Sequence, residues 1–114
     1  MIDLAAAGNI RIEADPDVTV VRLDGEIDAA LRDQASETMA LALAADRPVL
    51  VDASKATFID SSGIAFVMQL HHAADEAGID VALRDPRRVL RTVLEMIGYS
   101  DRMRDADADV DLIV

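Results

Sequence analysis

Pro48-Val49-Leu50-Val51-Asp52-Ala53 is the stretch that most restricts the fold. A strand with apolar residues at successive positions is shielded on both faces, so it belongs in the middle of a sheet. Segments of helical period flank it, from about Ala29 to Ala45 and from about Ile64 to Ala77. A central strand between two helices requires crossover connections, which parallel pairing provides.

The rest of the chain extends this pattern. Ile10-Arg11-Ile12-Glu13 alternates as a half-buried strand does, and Val18 to Leu23 is rich in β-branched residues. Asp15-Pro16-Asp17 is a turn between them, so the two strands form a hairpin. Asp24-Gly25-Glu26-Ile27-Asp28 ends the second strand, and Asp28 is placed to cap the next helix. In that helix Leu31, Ala35, Met39 (or Thr38) and Ala42 fall on one face.

The second helix directs Ile64, Val67, Met68, His71 and Ala74 inward and stops at Gly78. Ile79 to Leu83 alternates as a strand. Asp85-Pro86 opens a third helix, the acid as cap and the proline as first helical residue. Val89, Val93, Leu94 and Ile97 form its stripe, and Gly98 ends it. Met103 to Val114 fits either an edge strand or a short helix. The order β, β, α, β, α, β, α gives an α/β fold with a mixed sheet, in one domain over residues 1–114. Residues 1–8 look like a frayed start, and residues 1–8 and 106–114 are expected at the periphery.

Composition removes several classes of function. The formal net charge of −11 opposes direct nucleic-acid binding and anionic membranes, and favours a basic protein partner or simple solubility. There is no cysteine, so disulfides and thiolate zinc sites are absent. No apolar run reaches the ~18 residues of a membrane span. The start, Met1-Ile2-Asp3-Leu4, does not resemble a signal peptide, so a cytoplasmic location without membrane insertion is expected.

The chemistry concentrates in Thr57-Phe58-Ile59-Asp60-Ser61-Ser62-Gly63-Ile64-Ala65. An acid, two hydroxyls and a glycine stand between a strand and a helix. Ser61 has two readings. It can be the helix cap, worth about 1 kcal/mol. It can also be a phosphorylation site, where the phosphate would carry roughly −1.5 to −2 charges and accept free N–H groups of the helix start. From the residues alone the cap is the simpler reading.

Asp28 and Asp60 can each be a cap, but both lie at a strand end before a helix. A parallel sheet would bring them to one edge as an acidic docking surface. Two acids without further ligands are a weak magnesium signature. The only histidines, His71 and His72, are adjacent on a helix and point apart, so they suit structure better than metal binding. No serine-hydrolase elbow, P-loop or dinucleotide-binding glycine motif is present. Arg87, Arg88 and Arg91 fit a solvated helix face better than a phosphate site. No catalytic residue, metal or cofactor is expected.

Two motifs carry a resemblance. Leu23-Asp24-Gly25-Glu26-Ile27-Asp28 is similar to the strand end of the STAS-domain family, and Phe58-Ile59-Asp60-Ser61-Ser62-Gly63-Ile64 is similar to the phosphorylation loop of its bacterial anti-sigma factor antagonists. Val89 to Gly98 followed by Tyr99 is a weaker match to the last helix and the step after it. The likeness runs from about Ile10 to Arg104. Ala65 departs from it, standing where many members carry glycine. The C-terminal end is also short, so the family's last helix would be reduced.

The resemblance implies a small mixed sheet with helices packed mainly on one face. It also implies partner switching in transcription regulation. The unphosphorylated protein would bind an anti-sigma factor that is also a serine kinase of the histidine-kinase-like ATPase fold, releasing the sigma factor. Phosphorylation of Ser61 would dissociate the complex, and a serine phosphatase would reset it. Asp28, Asp60, Ser62, Gly63 and Glu26 would form the partner-binding surface. ATP and magnesium would belong to the partner, so the chain would not be an enzyme. A second role found among stand-alone STAS proteins is a non-enzymatic subunit that binds the ATPase of a membrane lipid ABC transporter.

Overall fold

The apolar run at Val49 does form the centre of the sheet. In the computed structural model, which describes residues 8–106, five strands lie in the order β1-β2-β3-β4-β5. They are β1 (Asn9–Ala14), β2 (Thr19–Ile27), β3 (Val49–Ile59), β4 (Val81–Arg84) and β5 (Arg104–Asp105). β1 and β2 form the expected antiparallel hairpin, with Ile10 opposite Leu23. The pairs β2/β3, β3/β4 and β4/β5 are parallel, so the sheet is mixed. The crossovers carry α1 (Arg32–Ala45), α2 (Ser61–Glu76) and α3 (Val89–Met96).

Side-chain alternation sorts the two faces of the sheet. Val21, Leu23, Val49, Val51, Ala53, Val81 and Leu83 are buried in one core cluster. The same cluster contains Leu31 before α1, Ala42 of α1, Ile64, Phe66, Val67 and Leu70 of α2, and Leu90 and Leu94 of α3. The helices therefore share one face. The opposite face is polar: Arg22 pairs with Asp52 at 2.7 Å and Glu13 at 2.9 Å, and Arg11 with Asp24 at 3.2 Å.

The elements near the candidate site differ from expectation. β2 does not end at Asp24 but runs to Ile27, because Gly25 adopts φ 72° and the register slips on both sides of it. Such an irregularity lets a strand continue with altered twist. β3 continues through Thr57-Phe58-Ile59 instead of forming a loop: Phe58 and Ile59 pair with Glu26 and Ile27 of β2, and the register slip falls at Thr57. α2 begins at Ser61, three residues before Ile64. A short 3-10 turn, Ala29–Leu31, precedes α1.

The third helix starts later than Asp85-Pro86 suggests. Arg88 sits in the left-handed region at φ 59°, which separates the Pro86 turn from α3. Asp85 is nonetheless the cap: its carboxylate accepts from the backbone N–H of Val89, Leu90 and Arg91 at 2.7–3.0 Å. The stripe turns accordingly. Leu90, Arg91 and Leu94 are buried, Val89 and Val93 are half-buried, and Ile97 is exposed. Arg91 is thus not part of a solvated face, and its Nη1 donates to the Met103 carbonyl at 3.1 Å.

At the C-terminal end β5 supplies the edge strand, while the rest of that expectation, and the frayed start over residues 1–7, fall outside the described residues. Gly8 itself is not frayed. A β-carbon on it would meet the Glu26 carbonyl oxygen at 1.6 Å and Leu31 Cδ1 at 2.9 Å.

Candidate functional site at the rim of two parallel strands

The site is built by register. β2 and β3 run parallel with Ile27 opposite Ile59, so Asp28 and Asp60 leave the sheet side by side. The Asp60 N–H donates to the Ile27 carbonyl at 3.0 Å, tying the two exits together. This is the edge at which the sequence placed both acids.

Asp60 has extended dihedrals, φ −92° and ψ −175°, as an N-cap does. Its Oδ1 accepts from Ser62 N–H at 2.8 Å and Gly63 N–H at 3.1 Å, and its carbonyl accepts from Ile64 N–H at 3.0 Å. Asp28 caps the 3-10 turn in the same way, with Oδ1 accepting from Ala30 N–H at 3.0 Å. Ser61 is therefore not the cap. It is the first helical residue, and it is exposed. A further expectation changes with it: the N–H groups of Ser62 and Gly63 are already held by Asp60, so a phosphate on Ser61 would not find those two donors free.

Gly63 is a packing requirement. A β-carbon there would stand 2.7 Å from Ile59 Cγ2, 3.0 Å from Ile27 Cγ2 and 3.1 Å from the Ile27 carbonyl oxygen. The first turn of α2 thus rests directly on the two strand ends. Ser62 is half-buried behind Ser61, and Glu26 is exposed on β2. Beside Glu26 in register stands Phe58, 53% exposed. The sequence motif gives Phe58 no role of its own, although its outward position follows by alternation from the inward Ile59.

A groove of about 590 Å³ lies between α1 and α2 on the helical side of this rim. Leu31, Ala35, Met39 and Phe66 supply apolar walls, and Asp28, Ser62 and Gly63 form part of its end.

Neither histidine stands beside Ser61. His71 lies ten residues further along α2, roughly 15 Å at 1.5 Å per residue. It shares a 2.7 Å hydrogen bond with the Tyr99 hydroxyl, and the two rings meet edge to face at 5.5 Å. His72 points elsewhere and pairs with Glu76. Among the described residues, no group of three or more His, Cys, Asp or Glu is arranged to hold a metal ion. Arg87 is exposed, and the exposed Arg88 pairs with Glu95. Among the described residues, no helix is long and apolar enough to cross a membrane.

The STAS domain family model matches residues 9–111. The chain belongs to the STAS family. Its fold is similar to that of an anti-sigma factor antagonist from Mycobacterium paratuberculosis, with a TM-score of 0.72 and 21% identity over 95% of this chain and 93% of that one. It is also similar to unphosphorylated SpoIIAA (TM-score 0.70, 22% identity, 92% of this chain and 96% of that one). The Bacillus cell fate determinant SpoIIAA in its phosphorylated form gives a TM-score of 0.70 and 22% identity over 93% of this STAS chain and all of the other. A comparison with curated protein sequences gives no significant match.

Proposed function

We propose that this STAS domain is an anti-sigma factor antagonist switched by phosphorylation of Ser61. The observation that carries the reading is the placement of Ser61. Its side chain is exposed on the rim where Asp28 and Asp60 leave the sheet, and the helix below does not depend on it as a cap. A kinase can reach such a hydroxyl, and the fold can carry a phosphate there. The similar fold of SpoIIAA, known in phosphorylated and unphosphorylated forms, supports the same reading.

In the unphosphorylated state the rim offers Glu26, Asp28, Asp60, Ser62 and the Gly63 turn to an anti-sigma factor that is itself a serine kinase of the histidine-kinase-like ATPase fold. Binding displaces the sigma factor. Phosphorylation adds roughly −1.5 to −2 charges beside two carboxylates. In a contact from which water is excluded, that charge is desolvated next to like charges, and the complex dissociates. A serine phosphatase resets the rim. The chain performs no catalysis, ATP and magnesium reside in the partner, and the setting is the cytoplasm.

The test is capture from native lysate with three baits: wild type, Ser61→Ala and Ser61→Asp. The proposal expects wild type and Ser61→Ala to retain a histidine-kinase-like ATPase and Ser61→Asp to lose it, with enzymatically phosphorylated protein repeating the loss. Equal capture of a transporter ATPase by all three baits would instead establish the transporter-subunit role and remove the switch.

A further inference from the structure

We propose that Phe58 is the apolar anchor of the partner-binding rim, and that the partner it fits is a protein surface with an apolar pocket bordered by arginine or lysine. The proposal rests on the rim being a docking surface, as argued above, and adds the residue and the partner chemistry.

The chain is poor in aromatic side chains: two phenylalanines, one tyrosine and no tryptophan. Phe66 is buried at 5% exposure, and Tyr99 is half-buried against His71. Phe58 is left 53% exposed. A single exposed apolar residue is ordinary on a soluble protein, and Leu41, Met96 and Ile97 are exposed as well. Position distinguishes Phe58. It lies on β3, pairs in register with Glu26, and precedes the Asp60 cap by two residues and Ser61 by three. Because Ile59 is buried toward the helices, Phe58 projects from the opposite face of the same strand end. The ring is therefore carried on paired backbone and loses little freedom when a partner covers it. Aromatic residues of this kind dominate binding energy where they fill a desolvated pocket surrounded by polar contacts.

The surrounding charge defines the complementary surface. From Gly25 to Ala29 and from Ala56 to Gly63, the charged residues are Glu26, Asp28 and Asp60, all acidic; the nearest base on β3, the exposed Lys55, stands outside this stretch opposite Asp24 in register. Two copies of this chain meeting at the rim would bring like charges together around the two rings. An anionic membrane would be repelled by the same acids and by the net charge of −11. A pocket edged with arginine or lysine answers both features at once. Ser61 then lies at the margin of the anchored contact, where a phosphate must be desolvated with the rim acids whenever the ring is seated.

The experiment measures binding of purified wild type, Phe58→Ala, Phe58→Leu and Ser61→Asp to the most enriched protein captured by the wild-type bait, by isothermal titration. Circular dichroism and melting curves on each variant confirm the fold. The proposal expects Phe58→Ala to weaken binding at least about tenfold, the scale of an interface hot spot, with Phe58→Leu in between. A Phe58→Ala affinity within about twofold of wild type, with Ser61→Asp still disruptive, overturns the anchor and leaves the switch. Loss with Phe58→Ala but not with Ser61→Asp supports the anchor and removes the switch. Absence of any specific partner for the wild-type bait overturns both.

Discussion

Gly63 and Ile27 stand closer than a side chain at position 63 would allow: a β-carbon there would lie 3.0 Å from Ile27 Cγ2 and 3.1 Å from the Ile27 carbonyl oxygen. The contact explains why a helix-disfavouring residue occupies the first turn of α2. The helix can be seated against the strand ends only where no β-carbon intervenes, and that seating holds Ser61 on the rim.

Gly63→Ala is therefore expected to destabilise the fold. Alanine gains about 1 kcal/mol over glycine in a helix. Against this, the new methyl also meets Ile59 Cγ2 at 2.7 Å, and one of its neighbours is a backbone carbonyl held in a hydrogen bond from Asp60. Overpacking of this sort costs roughly 1–3 kcal/mol, so the net effect is a loss of about 0–2 kcal/mol, with the backbone contact placing it toward the upper end. A small domain should then melt several degrees lower. An unchanged or higher melting temperature would show that α2 shifts without penalty.

Asp60 and Ser61 exchange the roles that adjacent polar residues before a helix suggest. Asp60→Ala should cost about 1–2 kcal/mol, because Ser62 and Gly63 N–H both lose their acceptor. Asp60→Asn keeps an acceptor oxygen and should cost much less. Ser61→Ala should stay within about 0.5 kcal/mol of wild type, as exposed substitutions do. Urea unfolding of the three variants gives the comparison. A larger loss at Ser61 than at Asp60 would return the cap to the serine.

How far the sequence could be read depended on whether a local pattern or a pairing decides the outcome. The central strand at Val49, the hairpin around Asp15-Pro16-Asp17 and the inward stripe of Leu31, in the turn before α1, and Ala42 of α1 follow from local period and turn residues. The meeting of Asp28 with Asp60 follows from parallel topology, here fixed by Ile27 opposite Ile59. What escaped depends on tertiary register. Pairing with β2 carries β3 on to Ile59, whereas Thr57 to Ile59 resemble the start of a loop. The left-handed Arg88 breaks the run from Pro86, which delays α3 and buries Arg91. The exposure of Phe58 had a signal, the alternation with Ile59, but it requires knowing that β3 extends that far.

Acid stability should depend in part on the polar face of the sheet. Burial raises the Asp52 carboxyl, but hydrogen bonds from Ser54 and the charges of Arg22 and Arg84 outweigh it, holding Asp52 below the usual carboxylate range. A depressed folded-state value means that the stabilisation is present above the unfolded value of about 3.9 and is lost as pH falls through the lower folded one. Wild type should therefore lose this contribution progressively as the pH falls below about 4. Asp52→Asn should be less stable at neutral pH and show a shallower acid slope. Parallel slopes for the two proteins would place the acid sensitivity in other carboxylates.

Tyr99 fastens the far half of α2 to the segment after α3 through the 2.7 Å hydrogen bond to His71 Nδ1. Tyr99→Phe preserves the ring contact and removes only the hydroxyl, which leaves a half-buried imidazole nitrogen without that partner. The expected loss is about 0.5–1.5 kcal/mol in urea unfolding. The pair lies roughly 15 Å along α2 from Ser61, so partner capture by the rim should not change. In a double-mutant cycle with His71→Ala, the two losses should be non-additive by an amount close to the Tyr99→Phe effect. Strict additivity would show that the hydroxyl and the imidazole stabilise the fold independently.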